Sequence, residues 1–303
     1  MSGSGRLILG TAQWGMAYGI ANRTGTPAPT EVASIATTAW EAGVRRLDTA
    51  RAYGRAEEVI GSLEQPWQVM TKLSADVAGD GLSSADARAR ASESLARSRE
   101  ALKRDVLDTV LLHRATHRTQ SGGAAWEVLQ AERHAGGIGA IGASVIAIDE
   151  VTELFEASDV DVMQVPASLL DQRLFRSGFF DEAARAGRRV VARSIYLQGV
   201  AHLAVGDLPA HLAPLSKLLT MLDRRARALG VTRADLFLSW ARHRLPAVDV
   251  LVGCESVGQL RQNLRAWERP VAEQEIEAIE ATIPELPDRL LDPWRWPRVR
   301  SGF

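Results

Sequence analysis

Among the side chains of the first 113 residues that can move protons, four stand out, and three of them close short apolar runs. Asp48 ends the run 44–48, Lys72 ends 67–72 and His113 ends 108–113. Tyr53 stands five residues past Asp48, followed by Gly54. Each has an ordinary structural explanation by itself: Asp48 as a turn or capping carboxylate, Lys72 as a solvated strand end, His113 and Tyr53 as packed rings. Together, at the same end of consecutive strands, they describe one site. Of the 36 basic residues only Lys72, Lys103 and Lys217 are lysine. A lysine here departs from the chain's habit, and a compact ammonium suits a packed polar cluster better than a guanidinium. A phenol has a pKa of about 10, and a neighbouring ammonium is expected to lower it. Tyr53 then reads as a general acid, Asp48 as the carboxylate that holds Lys72, and His113 as a donor to a carbonyl oxygen. Such a set protonates a carbonyl without a metal, and hydride from a bound cofactor would complete a reduction.

Apolar runs of strand length alternate with segments of helical spacing, the pattern of βαβ units around a parallel sheet. Eight strands are expected, at 6–9, 44–48, 67–72, 108–113, 140–144, 162–165, 189–194 and 248–252, with helices at 30–42, 55–63, 85–102, 124–135, 148–157, 179–186, 215–229 and 232–244. Thr30 is read as the cap of the first helix. The count and the length predict an α/β chain, a (β/α)8 TIM barrel as one domain over 1–303, with extra C-terminal helices and a tail at 284–303. No G-x-G-x-x-G follows the first strand, and the glycines at 136–139 read as a helix stop. Active sites of such barrels lie at the C-terminal strand ends, where these polar residues fall.

The chain has 303 residues, is 46% hydrophobic and 24% charged, and carries a net charge of -1. That balance excludes a disordered chain and gives no electrostatic footprint for nucleic acid or acidic lipid. Cys254 is the only cysteine, so a disulfide within the chain or a cysteine zinc cluster is excluded. Without a long apolar run or a leader-like opening, neither a membrane span nor a signal peptide is expected, and the chain is placed in the cytoplasm as a monomer or weak homo-oligomer.

The stretches Leu9 to Thr11, Leu47 to Gly54, Thr71-Lys72 and Leu111 to His113 closely resemble the aldo-keto reductases, and the resemblance spans nearly the whole chain. The Gly10 to Gln13 opening and the 193–199 stretch look like a bacterial branch of that family. The resemblance implies a barrel reducing an aldehyde or ketone with NADPH, NADH being the alternative, through a tetrad that falls on Asp48, Tyr53, Lys72 and His113. It also implies cofactor contacts at Gly10 and Thr11, at Ser144 and Gln164 for the carboxamide, and at Arg193, Ser194, Leu197 and Gly199 after strand seven. Gly253, Glu255, Gln259 and Asn263 are implied for the adenosine end. Arg193 stands where many members place an aromatic ring, and Gly253 and Gln259 stand where many NADPH-specific members place Lys and Arg. Arg261 or Arg265 could supply that charge, whereas Glu255 would suit a free ribose hydroxyl. Gln13, Trp14, Tyr18, Arg51 and the tail tryptophans Trp294 and Trp296 are candidate substrate walls, Arg51 hinting at a polar or anionic carbonyl such as a sugar derivative. Two other readings stay open: a cofactor-binding regulatory barrel with little turnover, and an aldolase in which Lys72 forms a Schiff base.

Overall fold

Eight strands close into a parallel barrel in the computed structural model, which describes residues 6–297. They are β1 (Leu7–Gly10), β2 (Arg46–Asp48), β3 (Gln68–Lys72), β4 (Leu107–Leu112), β5 (Ile138–Ser144), β6 (Val162–Pro166), β7 (Arg189–Arg193) and β8 (Asp249–Gly253), in spatial order β1 to β8, with β8 returning to β1. The expected (β/α)8 barrel is the fold. Positions 1–5 and the end of the expected tail, 298–303, lie outside the described residues.

Thirteen α-helices occur among the described residues: α1 (Ala12–Gly15), α2 (Pro29–Glu41), α3 (Ala56–Gly61), α4 (Ser84–Leu102), α5 (Ala124–His134), α6 (Glu150–Glu156), α7 (Arg173–Arg176), α8 (Phe179–Arg185), α9 (Ser216–Ala228), α10 (Arg233–Arg244), α11 (Val257–Glu268), α12 (Glu273–Glu280) and α13 (Asp288–Leu291). Thr30 is not the cap of α2. Ala28 takes that place, and Pro29, whose fixed φ suits a first helical position, starts the helix without a side-chain cap. Thr232 does cap α10, in a reciprocal box with Asp235. Gly136 follows α5 at φ +79°, the left-handed stop that only glycine adopts cheaply, while Gly139 lies inside β5.

Two apolar shells hold the barrel. The larger lies between sheet and helices and contains Trp14, Trp67, Trp240 and Trp267. The smaller is a plug inside the barrel made of Ile8, Met70, Leu111, Val162 and Val191. Side chains on a strand alternate faces, so the residues two before and two after each plug residue also point inward. Toward the strand starts this turns Arg189 inward, where it meets Asp249, the register neighbour of Val191, while Arg46, the register neighbour of Ile8, grips both carboxylate oxygens of Asp249. Toward the strand ends it brings the polar layer described next.

Candidate active site

Two residues beyond Ile8, Met70, Leu111, Val162 and Val191 stand Gly10, Lys72, His113, Gln164 and Arg193. Register neighbours add Asp48 beside Gly10, Ser144 beside Gln164 and Gly253 on the other side of Gly10. One alternation therefore assembles eight of the sequence-identified residues in a single layer, and all eight line one cavity of about 660 Å³. His113 lies one residue past β4, where the strand has already set its direction.

Asp48 and Lys72 are 1% and 2% exposed, so neither charge is solvated by water. Each is solvated by the other. Lys72 Nζ donates to Asp48 Oδ1 and Oδ2, both at 2.7 Å, and to the Thr49 carbonyl at 2.9 Å. Gln164 Nε2 donates to Asp48 Oδ2 at 2.6 Å, and the Ser144 hydroxyl donates to Gln164 Oε1 at 3.3 Å. Burial lowers the Lys72 pKa, and the Asp48 carboxylate opposes that fall. Nζ lies 5.1 Å from the centre of the Tyr53 ring, whose edge meets His113 at 6.4 Å between centroids.

The expected lowering of the Tyr53 pKa does not occur. Burial raises it, the Asp48 carboxylate raises it further, and Arg193 pulls the other way. Burial and the Asp48 carboxylate outweigh Arg193, so the phenol keeps its proton to high pH. His113 is pushed down to about 4 by burial first and by Lys72 next, which leaves a neutral imidazole at pH 7. Its Nδ1 is buried with no hydrogen-bond partner among the described residues.

Tyr53 is set by a close approach of backbones. A Cβ on Gly15 would stand 1.8 Å from the Tyr53 carbonyl oxygen, and one on Gly54, whose φ is +56°, would stand 2.3 Å from the Gly15 oxygen. Only two glycines let α1 and the loop before α3 pass this closely. Behind β3, Glu57 is buried and accepts from Thr71 Oγ1 (2.5 Å), Ser98 Oγ (2.9 Å) and Arg51 (2.5 Å). Arg51 is thereby turned away from the cavity, and its use as a substrate wall is corrected. Trp14 is also corrected: it is 2% exposed within the outer core and does not line the cavity.

Gln13 and Tyr18 do line the cavity, as do Thr11, Ser194, Gly199, Glu255 and Gln259. Thr11 is fully buried and ties β1 to β2 through its hydroxyl and the Asp48 carbonyl, 2.9 Å apart. Leu197 and Asn263 are not at the wall. Leu197 is packed in the core, and the Asn263 carbonyl oxygen accepts from the Tyr196 hydroxyl at 2.8 Å, beneath the cavity surface. Arg261 and Arg265 are exposed and do not line it either. Gln259 Oε1 accepts from the Glu255 amide at 2.7 Å, so that side chain folds onto its own loop. Of the tail tryptophans Trp294 reaches the cavity, whereas Trp296 is packed beside His211.

Sequence reasoning passed over Asn22, Arg23, Tyr196, Gln198 and Asp207, all at the cavity wall. They come from two loops that meet across it: the Ile20 amide donates to the Gln198 carbonyl at 2.9 Å, and Arg23 pairs with Asp207 at 2.6 Å. The opposite charges were legible, but not their pairing across 184 positions.

The pattern described as the aldo/keto reductase family matches residues 6–284. No curated protein sequence matches the chain. Among solved structures, an aldo-keto reductase from Bacillus halodurans in its holo form superposes with a TM-score of 0.72 at 21% identity, covering 96% of this chain and 95% of that one. A glycerol dehydrogenase from Gluconobacter oxydans superposes with a TM-score of 0.69 at 19% identity, covering 93% of each chain. At these identities the likeness is one of fold.

Proposed function

Because the chain belongs to the aldo/keto reductase family, we propose that it is a nicotinamide-dependent reductase of an aldehyde or ketone whose proton donor is Tyr53. The observation that carries the reading is the buried Lys72–Asp48 pair beneath Tyr53 and His113 at the floor of one cavity. The cofactor, when bound, supplies hydride to the carbonyl carbon. Tyr53 gives its phenolic proton to the oxygen, and the product is the alcohol. A phenol whose pKa is raised holds that proton until the oxygen develops charge, and neutral His113 donates a hydrogen bond to the same oxygen. Lys72 and Asp48 position Tyr53 and place a fixed dipole beneath it.

The cavity suits a dinucleotide in three respects. Its volume falls within the about 300–1,000 Å³ of small-molecule and cofactor sites. It runs from the tetrad to Glu255 and Gln259 at the N-terminus of α11, an end that favours anions such as phosphate, though Glu255 tempers it. Ser144 and Gln164 form a hydroxyl and amide pair beside the tetrad, placed for a carboxamide. Arg23, Lys72 and Arg193 are the basic side chains of the wall, with Lys72 paired to Asp48 and Arg23 to Asp207. With Glu255 at the adenosine end and Gln259 folded onto its loop, NADH is supported as a second reading beside the NADPH of the family resemblance. Gln13 and Gln198 give the wall amides suited to a polar carbonyl compound.

The alternatives are less well supported. All three hydrogens of the Lys72 ammonium are given to oxygens, which leaves no lone pair for Schiff-base attack. A regulatory barrel would not need the complete tetrad. We place the protein in the cytoplasm as a monomer or weak homo-oligomer; no described helix is long and apolar enough to cross a membrane. Titration with NADPH and with NADH, followed by tryptophan quenching, tests the reading: saturable binding of at least one is expected, and binding of neither overturns it. Tyr53→Phe should then abolish turnover while sparing that binding, and a variant that keeps most of its turnover would remove Tyr53 as the donor.

A further inference from the structure

Arg193 closes β7 on the inward face, one layer above Val191, and lines the cavity shared by the tetrad. Its guanidinium is fastened on two sides, donating to the Val145 carbonyl at 2.6 Å and to the Ser194 hydroxyl at 2.8 Å. Ser194 sits at φ +61°, in the left-handed region, which brings its hydroxyl back toward the strand end. Both acceptors are neutral, so no carboxylate among the described residues matches the Arg193 charge.

The charge balance of the cavity floor follows. Asp48 and Lys72 cancel. His113 is neutral at pH 7, and the Tyr18 and Tyr53 phenols are held protonated by burial. What remains is the single positive charge of Arg193, and its reach is broad: it depresses His113 and Lys72 and opposes the rise of both phenols. A hydride donor must bring its reactive ring within bonding distance of a carbonyl held at Tyr53 and His113, and so into this field.

We propose that Arg193 makes the cavity discriminate between the two redox forms of its nicotinamide cofactor, holding the reduced form, whose ring is neutral, more tightly than the oxidised form, whose ring is a cation. The proposal rests on the reductase reading above and adds a direction to it. The two forms differ by one positive charge on the ring and are otherwise nearly the same in shape, so contacts elsewhere along the dinucleotide cancel in their comparison. Two like unit charges about 8 Å apart in a site of effective dielectric about 20 repel enough to change an affinity ratio on the order of tenfold or more. The consequence is a site that loads reduced cofactor in preference and lets the oxidised product leave.

The experiment is a set of dissociation constants for NADPH, NADP+, NADH and NAD+ with the wild-type protein and with Arg193→Lys, Arg193→Gln and Arg193→Met. Tryptophan quenching or calorimetry supplies them without turnover. The ratio of oxidised to reduced dissociation constants is expected to fall about tenfold in the Gln and Met variants and to stay near wild type in the Lys variant, which keeps the charge but not the fork of donors. If Arg193 were only a brace for Val145 and Ser194, all three variants would weaken both redox forms alike, and an unchanged ratio in the Gln and Met variants overturns the proposal. Should one of these two fail to fold, the other still gives the charge-free ratio. Failure of the wild-type protein to bind any of the four dinucleotides would overturn the reductase reading itself, a result distinct from an unchanged ratio.

Discussion

Replacing Asp48 with alanine leaves Lys72 as a buried ammonium with one acceptor, the Thr49 carbonyl, in place of three. It also strands the Gln164 amide that donates to Asp48 Oδ2 at 2.6 Å. Breaking a buried pair from one side costs about 3–5 kcal/mol, because the surviving charge has no water to turn to. A stranded amide adds about 1–3 kcal/mol, part of which Met70 Sδ, 3.6 Å from Gln164 Nε2, offsets as a weak acceptor. The expected loss at pH 7 is therefore about 5 kcal/mol. Removing the ammonium as well, in Asp48→Ala with Lys72→Met, should return about 2 kcal/mol of that, a coupling far outside the additivity of independent sites. The pH dependence has a definite sign. Burial lowers the Lys72 pKa even with Asp48 present, and without Asp48 it falls further below the unfolded value of 10.5. The unfolded chain then binds more protons than the native one between those two values, so the stability of Asp48→Ala rises from pH 7 toward pH 10. Urea unfolding of the wild type, both single variants and the double variant at pH 7 and pH 9.5 measures all of this. An Asp48→Ala variant within about 1 kcal/mol of wild type, or a double variant whose loss equals the sum of the singles, refutes the account of a mutually solvated buried pair.

Gly15→Ala places a methyl against the Tyr53 carbonyl, so Tyr53 must move; kcat should fall by about 100-fold while cofactor affinity stays within a few-fold, and unaltered kcat would show that the two-glycine contact does not set the phenol. Arg23→Ala cuts an exposed ion pair across the cavity worth about 0–1 kcal/mol, so stopped-flow release of cofactor should quicken by up to about fivefold; slower release would mean the loops do not retain it. His113 titrates at about 4 in the folded chain and near 6.5 when unfolded, so the unfolded state takes up the proton first as pH falls. Stability is full above pH 6.5 and drops by about 3 kcal/mol toward pH 4, and His113→Asn should remove one proton's worth of that slope in urea midpoints measured from pH 7 to pH 4. The same shift predicts that kcat/KM shows no titration near pH 6.5, and a pKa there that vanishes in His113→Asn would contradict a neutral donor.

The barrel and the strand-borne members of the tetrad were legible from the two-residue period of a strand, whereas Tyr53 was read from its loop position beyond Asp48. An apolar run that fills a closed barrel with Ile8, Met70, Leu111, Val162 and Val191 must aim whatever follows two places later into the same interior, so Lys72 and His113 could be placed from their position after the run, while Gln164 and Arg193, which follow the same period, were reached through the family resemblance. Loops have no such period, and there the reading slipped. Arg51 lies between Asp48 and Tyr53 and reads as bound for the same rim, but Glu57, itself held by Thr71 behind β3, captures it. Asn263 sits on α11, a helix that does reach the cavity end, yet Tyr196 takes its carbonyl oxygen and keeps it below the wall. The sense of the Tyr53 pKa was missed because burial is its largest cause and the Asp48 carboxylate adds to the rise, and how deeply a loop phenol is buried is not set by residue type. Residue type and period place charges in this cavity; pairing decides which of them leave a net charge. By that test Arg193, fastened but unmatched, is the charge of the cavity floor left free to act on a ligand.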